Sequence, residues 1–355
     1  MRAFNFGGVS SREYGVGISG SGTFDAPERD VEVIDIPGRN GAIIQDNGRF
    51  NNIDVTYPSW MHRNFDEWFP RFKSAMQQFT GYQILTDEYD TEHFREAMFA
   101  GAIQPYTGVY NKSGKFDVVF NCKPQRFLFS GAKELTFLPV TGTQTGAMVS
   151  GIEVTPGTRL KVTGRFQSSG TVTVIYYNSS STAIKTETAT GSVISYSGTV
   201  PANAATASVE YPVDFVTYVT INNNGVETCY TDTGLVLMNP TLYTARPVIT
   251  IYGSENMTYP VLTVSPDLLT TYRVMNVTVG ETTYDHVTIN SEFSDCYFDG
   301  YVGALHVTEN LNNVVTIEES GELAYDFPVI EGGKGIVIPT VSATKITVVP
   351  RWWEV

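Results

Sequence analysis

Only one stretch of this chain, residues 65–79, repeats its apolar residues at helical spacing: Phe65, Trp68, Phe69, Phe72, Ala75, Met76 and Phe79. Elsewhere apolar residues alternate with polar ones or come in short runs cut by Gly and Pro. That is the spacing of strands. Ile53, Val55 and Tyr57 alternate with Asn52, Asp54 and Thr56, and Phe116–Cys122 reads as a further strand. Asp46-Asn47-Gly48 signals a turn between strands. Pro70 belongs in a first helical turn, so the regular helix is expected to begin near Glu67 and end at Thr80-Gly81. A second, shorter helical piece is expected over Thr91–Glu96. The constraint is a mainly β fold with one convincing helix.

At 355 residues the chain exceeds one ordinary core, so two or three domains are expected. Residues 140–237 are rich in Thr, Ser, Gly and Val and poor in charge. Ile152–Thr158, Leu160, Val162, then Val172, Val174 and Tyr176, and later Ala207, Val209 and Tyr211 suggest a small antiparallel sandwich. Residues 238–355 are strand again, with Pro247–Gly253, Val287–Ser291, Gly335–Pro339 and Lys345–Pro350 the clearest. The chain closes on Trp352-Trp353. Paired indoles at a terminus must be tied down, either as a capped sandwich edge with locally bonded N–H groups or as an anchor on a neighbour.

The formal charge of −14 argues against a nucleic-acid-binding surface. It is uneven: residues 241–355 hold 14 Asp+Glu against 5 Lys+Arg. Cys122, Cys229 and Cys296 are widely spaced with no CxxC, so neither a zinc ribbon nor a disulfide framework is indicated. They read as inert thiols. No 18-residue apolar span and no signal-peptide pattern is visible, and the expectation is a soluble chain made in the cytoplasm. His62, His93, His286 and His306 stand apart from one another, and no HExxH, GxSxG or phosphate-binding loop occurs. No catalytic residue, metal site or cofactor is assigned. Two carboxylates that meet only in the fold would leave no such trace, so a carbohydrate-active enzyme stays as an alternative.

Several short stretches, in order, resemble the distal tail protein (Dit) family of long, non-contractile-tailed phages of Gram-positive hosts. At the front are Phe4–Gly8, Pro27–Glu32, Ile36–Gly41 and Asp46–Arg49; in the middle, Phe116–Phe127. At the back are Asn239-Pro240-Thr241, Pro247–Gly253, Ile289–Glu292, Phe327-Pro328 and Pro350–Trp353. The resemblance implies an N-terminal β-barrel or sandwich domain, 1–134, with a helix and an arm-like loop, closing into a homohexameric ring. It implies a C-terminal galectin-like sandwich, 238–355, joined by a strand at 135–139; in such proteins this sandwich faces outward and usually lacks lectin activity. Residues 140–237 depart from the minimal pattern and resemble the carbohydrate-binding, jelly-roll-like β-sandwich inserted in larger members of the family.

The implied role is structural: a hub at the virion tail tip that joins the tail tube protein to the tail-tip protein. DNA passes through its lumen without specific binding, nothing spans a membrane, and the insert contacts host cell-wall polysaccharide. A ring subunit needs two different, complementary edges, which unpaired strands supply. Arg29, Asp30, Arg39, Asp46 and Arg49 place both charges close together, either as local turn-fixing pairs or as intersubunit contacts setting register. Sugar stacking in the insert would use Tyr176, Tyr177, Tyr196, Tyr211, Phe215 or Tyr218. A stand-alone carbohydrate-binding protein is the competing reading.

Overall fold

A computed structural model describes residues 2–20, 22–62, 64–99, 101–107, 112–137, 147–211, 216–224, 226–230, 235–253, 256–266, 270–324, 326–338 and 343–355. The fold is mainly β, as expected. The chain divides into two compact units, Met1–Phe129 with Trp353–Val355, and Ser130–Trp352.

The first unit holds β1 (Phe4–Phe6), β2 (Val9–Ser10), β3 (Val16–Ile18), β4 (Arg29–Asp35), β5 (Ala42–Phe50) and β6 (Ile53–Met61). Helix α1 (Phe65–Gln77) follows, then β7 (Gln83–Asp87), β8 (Asp90–Met98), β9 (Tyr106–Thr107) and β10 (Gly114–Leu128). One sheet runs in the order β2-β1-β7-β8-β10-β6-β3, while β4 and β5 form a sheet of their own. Strands β6 and β10 bury every second residue, and the register sets Val55 opposite Phe120 and Tyr57 opposite Val118. Alternation thus puts both apolar sets on one face. Helix α1 lays Phe65, Phe69, Phe72 and Met76 into the same core. Phe69 meets Phe116 edge-on at 5.2 Å, and Phe4 meets Phe120 in the same way at 5.2 Å. A Cβ at Gly114 would lie 2.2 Å from the Phe65 ring, so only glycine lets the helix close on β10. Each such buried aromatic contributes about 1.5–3 kcal/mol through area removed from water.

Three local expectations change. The helix begins at Phe65, because that ring is buried and the Asn64 carbonyl already accepts from Glu67 and Trp68. It ends at Gln77, ahead of Thr80-Gly81, and Pro70 lies inside it rather than in its first turn. Residues 91–96 form part of β8, not a helical piece: paired to β7 on one side and β10 on the other, they bond as strand. Asp46-Asn47-Gly48 is not a turn between strands; it lies within β5 at a register shift opposite Arg29–Val31. Gly48 has φ 73° there, and its N–H donates to the Asp46 Oδ1 at 2.8 Å, so the turn chemistry is absorbed as a bulge.

The second unit holds α2 (Phe129–Ala132), β11 (Leu135–Phe137), β12 (Ala147–Glu153), β13 (Arg159–Tyr177), β14 (Ala183–Thr199), β15 (Thr206–Tyr211), β16 (Val216–Asn223), β17 (Val226–Tyr230) and β18 (Leu235–Met238). It continues with β19 (Val248–Tyr252), β20 (Met257–Val264), β21 (Thr271–Val279), β22 (His286–Asn290), β23 (Asp295–Val302) and β24 (Leu305–Asn310). Then come β25 (Val315–Glu319), β26 (Glu322–Leu323), β27 (Gly335–Ile338) and β28 (Lys345–Val349). A six-stranded sheet has the order β11-β28-β19-β22-β23-β24. A larger sheet runs β12-β15-β13-β16-β17-β18-β27-β20-β21-β25-β26, with β14 on β13. Pairing of β18 with β27 makes it continuous across residues 237 and 238. Leu160, Val162, Val174, Tyr176, Val209 and Ile221 form one core of this unit.

The terminal tryptophans part company. Trp352 is buried in the second unit, where a Cβ on Gly131 would meet its backbone nitrogen at 2.4 Å. Trp353 belongs to β29 (Trp353–Glu354), which pairs with β10 of the first unit at Phe127 and Arg126.

Candidate assembly surface

The β4–β5 hairpin has nearly every residue exposed. Its register sets Val33 opposite Ile44 and, on the other face, Ile34 opposite Ile43. Val33 is 61% exposed and Ile44 67%. Isolated exposed aliphatics need no explanation, but cross-strand pairs on both faces of one ribbon are unusual. An isolated two-stranded ribbon is also marginal in water. Among the described residues these strands pair only with each other, so their outer edges are not taken up by a further described strand.

The expected charged residues gather on this hairpin. Arg29 Nε donates to Asp46 Oδ2 at 2.5 Å, and Arg49 Nε to Asp30 Oδ2 at 2.6 Å. Asp46 is held below its ordinary range by the Gly48 N–H and then by Arg29, and Asp30 by Arg49 and Asn47. Both pairs therefore brace the base of the hairpin within one chain. Arg39 sits apart, exposed at the tip formed by Ile36–Gly41, where Gly38 and Gly41 take φ 79° and 84°. The aliphatic pairs were missed as functional candidates, although Val31, Val33-Ile34 and Ile43-Ile44 break the alternation that a half-buried strand shows.

A polar knot fixes the β7–β8 turn. Asp87 Oδ2 accepts from Thr23 at 2.8 Å and Tyr57 at 2.6 Å, and Oδ1 accepts from the Tyr89 N–H at 2.8 Å. Asp90 faces His93 Nδ1 at 3.0 Å and is paired with Arg126. Burial works to raise the Asp90 pKa, but His93 and Arg126 outweigh it and hold the carboxyl below its ordinary value. Burial also pushes the Tyr57 hydroxyl far above its usual range. The histidines that stood apart in sequence mostly meet a carboxylate: His93 meets Asp90, His286 meets Asp285 at 2.7 Å, and His306 meets Asp299 at 3.3 Å. Among the described residues no group of three or more His, Cys, Asp or Glu is placed to hold a metal ion.

The insert tyrosines have varied settings. Tyr176 is 0% exposed and Tyr211 3%, so neither offers a face for stacking. Tyr177 and Tyr196 are half-buried, and Tyr196 donates to Glu187 while lying 3.1 Å from the Tyr176 hydroxyl. The Tyr218 side chain and Phe215 lie outside the described residues. Burial pushes the thiols of Cys122 and Cys296 up to about 12, while the side chain of Cys229 is not among those described.

No family model matches the chain. No curated protein matches it either. Solved structures are similar. One is the Dit (gp 19.1) protein of SPP1, described as a paradigm of the hub adsorption apparatus in phages infecting Gram-positive hosts. It is 9% identical over 98% of both chains, with a TM-score of 0.49. A chain of the phage P2 baseplate in its activated conformation with Ca is 10% identical over 98% of this chain and 97% of that one, TM-score 0.44. The P2 baseplate with Sr gives 10% identity, 98% coverage of both chains and a TM-score of 0.42. Among the described residues, no helix is long and apolar enough to cross a membrane.

Proposed function

We propose that this chain is a structural, non-enzymatic part of a phage tail: a hub subunit that closes into a homohexameric ring between the tail tube and the tail-tip protein. The SPP1 protein is described as a hub of an adsorption apparatus, and the proposal gives this chain the corresponding role. The β4–β5 hairpin is the observation that carries it. A ribbon with aliphatic pairs on both faces and open edges is completed by a neighbouring copy of the same chain. Head-to-tail repetition of that contact closes a ring. The Arg29–Asp46 and Arg49–Asp30 pairs keep the ribbon in register, and Arg39 at the tip is left for an intersubunit partner. In this reading residues 1–134, joined by Trp353–Val355, make the ring, 140–237 are an insert and the rest of 238–355, with strand 135–139, lies outside the ring. The insert would meet host cell-wall saccharide, with Tyr177 and Tyr196 its accessible aromatics among the described candidates.

Mass photometry of the purified chain, alone and with the tail tube protein of the same particle, tests the ring. Hexamers that disappear on Ile44→Asp while the monomer keeps its fold support it. A chain that stays monomeric under both conditions removes it and favours a stand-alone carbohydrate-binding protein.

A further inference from the structure

The β23–β24 hairpin closes through Gly303-Ala304, with Gly303 at φ 64°, the residue that type II′ hairpins place first. Its register sets Asp299 opposite Thr308, Tyr301 opposite His306 and Tyr297 opposite Asn310. Directly opposed residues share a face, and so do residues two apart along a strand. Tyr297, Asp299, Tyr301, His306, Thr308 and Asn310 therefore line one strip. The neighbouring Phe298 points the other way, buried and stacked on Tyr284 at 4.1 Å.

The strip combines an open aromatic ring with polar groups already held in place. Tyr301 is 72% exposed and meets the His306 ring at a steep angle, 5.0 Å between centroids. Asp299 Oδ1 accepts from Thr308 Oγ1 at 2.8 Å and faces His306 Nε2 at 3.3 Å. Asn310 donates to Asp295 at 3.1 Å. Aromatic faces bind the C–H side of a pyranose ring, while oriented acceptors take its hydroxyl protons. Spare lone pairs on Asp295 and Asp299 make the strip rich in acceptors. From Tyr297 to Tyr301 it extends roughly 13 Å at strand rise, longer than one ring.

We propose that this strip is a binding site for a neutral oligosaccharide. The chemistry separates neutral from anionic sugars. Asp295, Asp299 and Glu309 lie on this hairpin, and residues 241–355 hold 14 Asp+Glu against 5 Lys+Arg. A phosphorylated or carboxylated polymer would be repelled. The site lies outside the insert and does not depend on the ring.

Saturation-transfer NMR on the full chain tests this, with maltotriose and triacetylchitotriose as neutral probes and a hyaluronan tetrasaccharide as the anionic one. The expected result is transfer to at least one neutral trisaccharide with a Kd on the order of 1 mM, weakened about tenfold or more by Tyr301→Ala and also weakened by Asp299→Asn. Both side chains are exposed, so both variants should keep the wild-type melting curve. Transfer to neither neutral probe overturns the proposal. So does transfer that persists unchanged in Tyr301→Ala, which would place the contact elsewhere, or preferential transfer to hyaluronan.

Discussion

In the hairpin of β4 and β5, aliphatic pairs stand on both faces, whereas the hairpin of β23 and β24 keeps its exposed aliphatic pair, Val302 opposite Leu305, on the face of the buried Phe298 and sets tyrosines and carboxylates on the other. Both are antiparallel ribbons closed by glycine-containing loops. What differs is which surface is left to water. A ribbon with an aliphatic pair on each face gains stability when another protein covers those pairs, through burial that scales with area. A strip of aromatic edge and fixed acceptors has little to gain from a dry protein face, because its carboxylates would lose their hydration. It suits a ligand that brings its own hydroxyl groups. Exposure alone therefore says little about a surface; the side-chain chemistry on each face tells the two kinds of partner apart.

The contrast can be challenged experimentally. Phe120→Ala, in the core shared by β6, β10 and β1, supplies the reference for a true packing residue. It should cost about 3–5 kcal/mol in denaturant unfolding of the first unit. A loss as small as that of a surface change would mean that this sheet is not the core described. Ile44→Asp should leave the monomer within about 0.5 kcal/mol of wild type. In the assembled state it should weaken each contact by about 2 kcal/mol or more, read as loss of the hexamer by mass photometry. Equal stability of both assemblies would show that the hairpin pairs with nothing.

Acid titration adds a smaller effect. The Asp90 carboxyl is depressed in the folded chain, so its stabilisation is complete above its unfolded value of about 4. It is lost as the pH falls through the lower, folded value. Melting curves of wild type and Asp90→Asn should therefore differ most above pH 4 and converge below it. Curves that stay parallel into strong acid would mean that the pairing with His93 and Arg126 contributes nothing. The mildest expectation concerns the thiols. Cys122 and Cys296, pushed up to about 12 and buried, should resist maleimide at neutral pH and react after denaturation.

Much of the fold is legible in the sequence. Alternation over residues 52–57 and the pattern of Phe116–Cys122 named parts of two longer strands, β6 and β10, whose buried residues face the core. The apolar period of residues 65–79 named the helix, though not its ends. The errors fall where local chemistry was outvoted. Residues 91–96 have no strong preference of their own and became strand because β7 and β10 offer hydrogen bonds on both sides. Asp46-Asn47-Gly48 kept its turn geometry, yet the partner strand carried β5 straight past it.

The site residues were legible in part. The sequence brought Arg29, Asp30, Asp46 and Arg49 forward as charged candidates, but which of them pair within the chain is decided by the β4–β5 register. The insert tyrosines could not be ranked, since alternation along a strand marks two faces without saying which one is covered. Periodicity is a property of neighbours in the chain, so composition and spacing were enough to establish strands, one helix and the acidic last third. Burial and pairing join residues far apart in sequence. Folding therefore chose that Tyr176 goes inside, that Trp352 and Trp353 lie in different units, and that Asp299 meets Thr308 and His306 beside an open Tyr301.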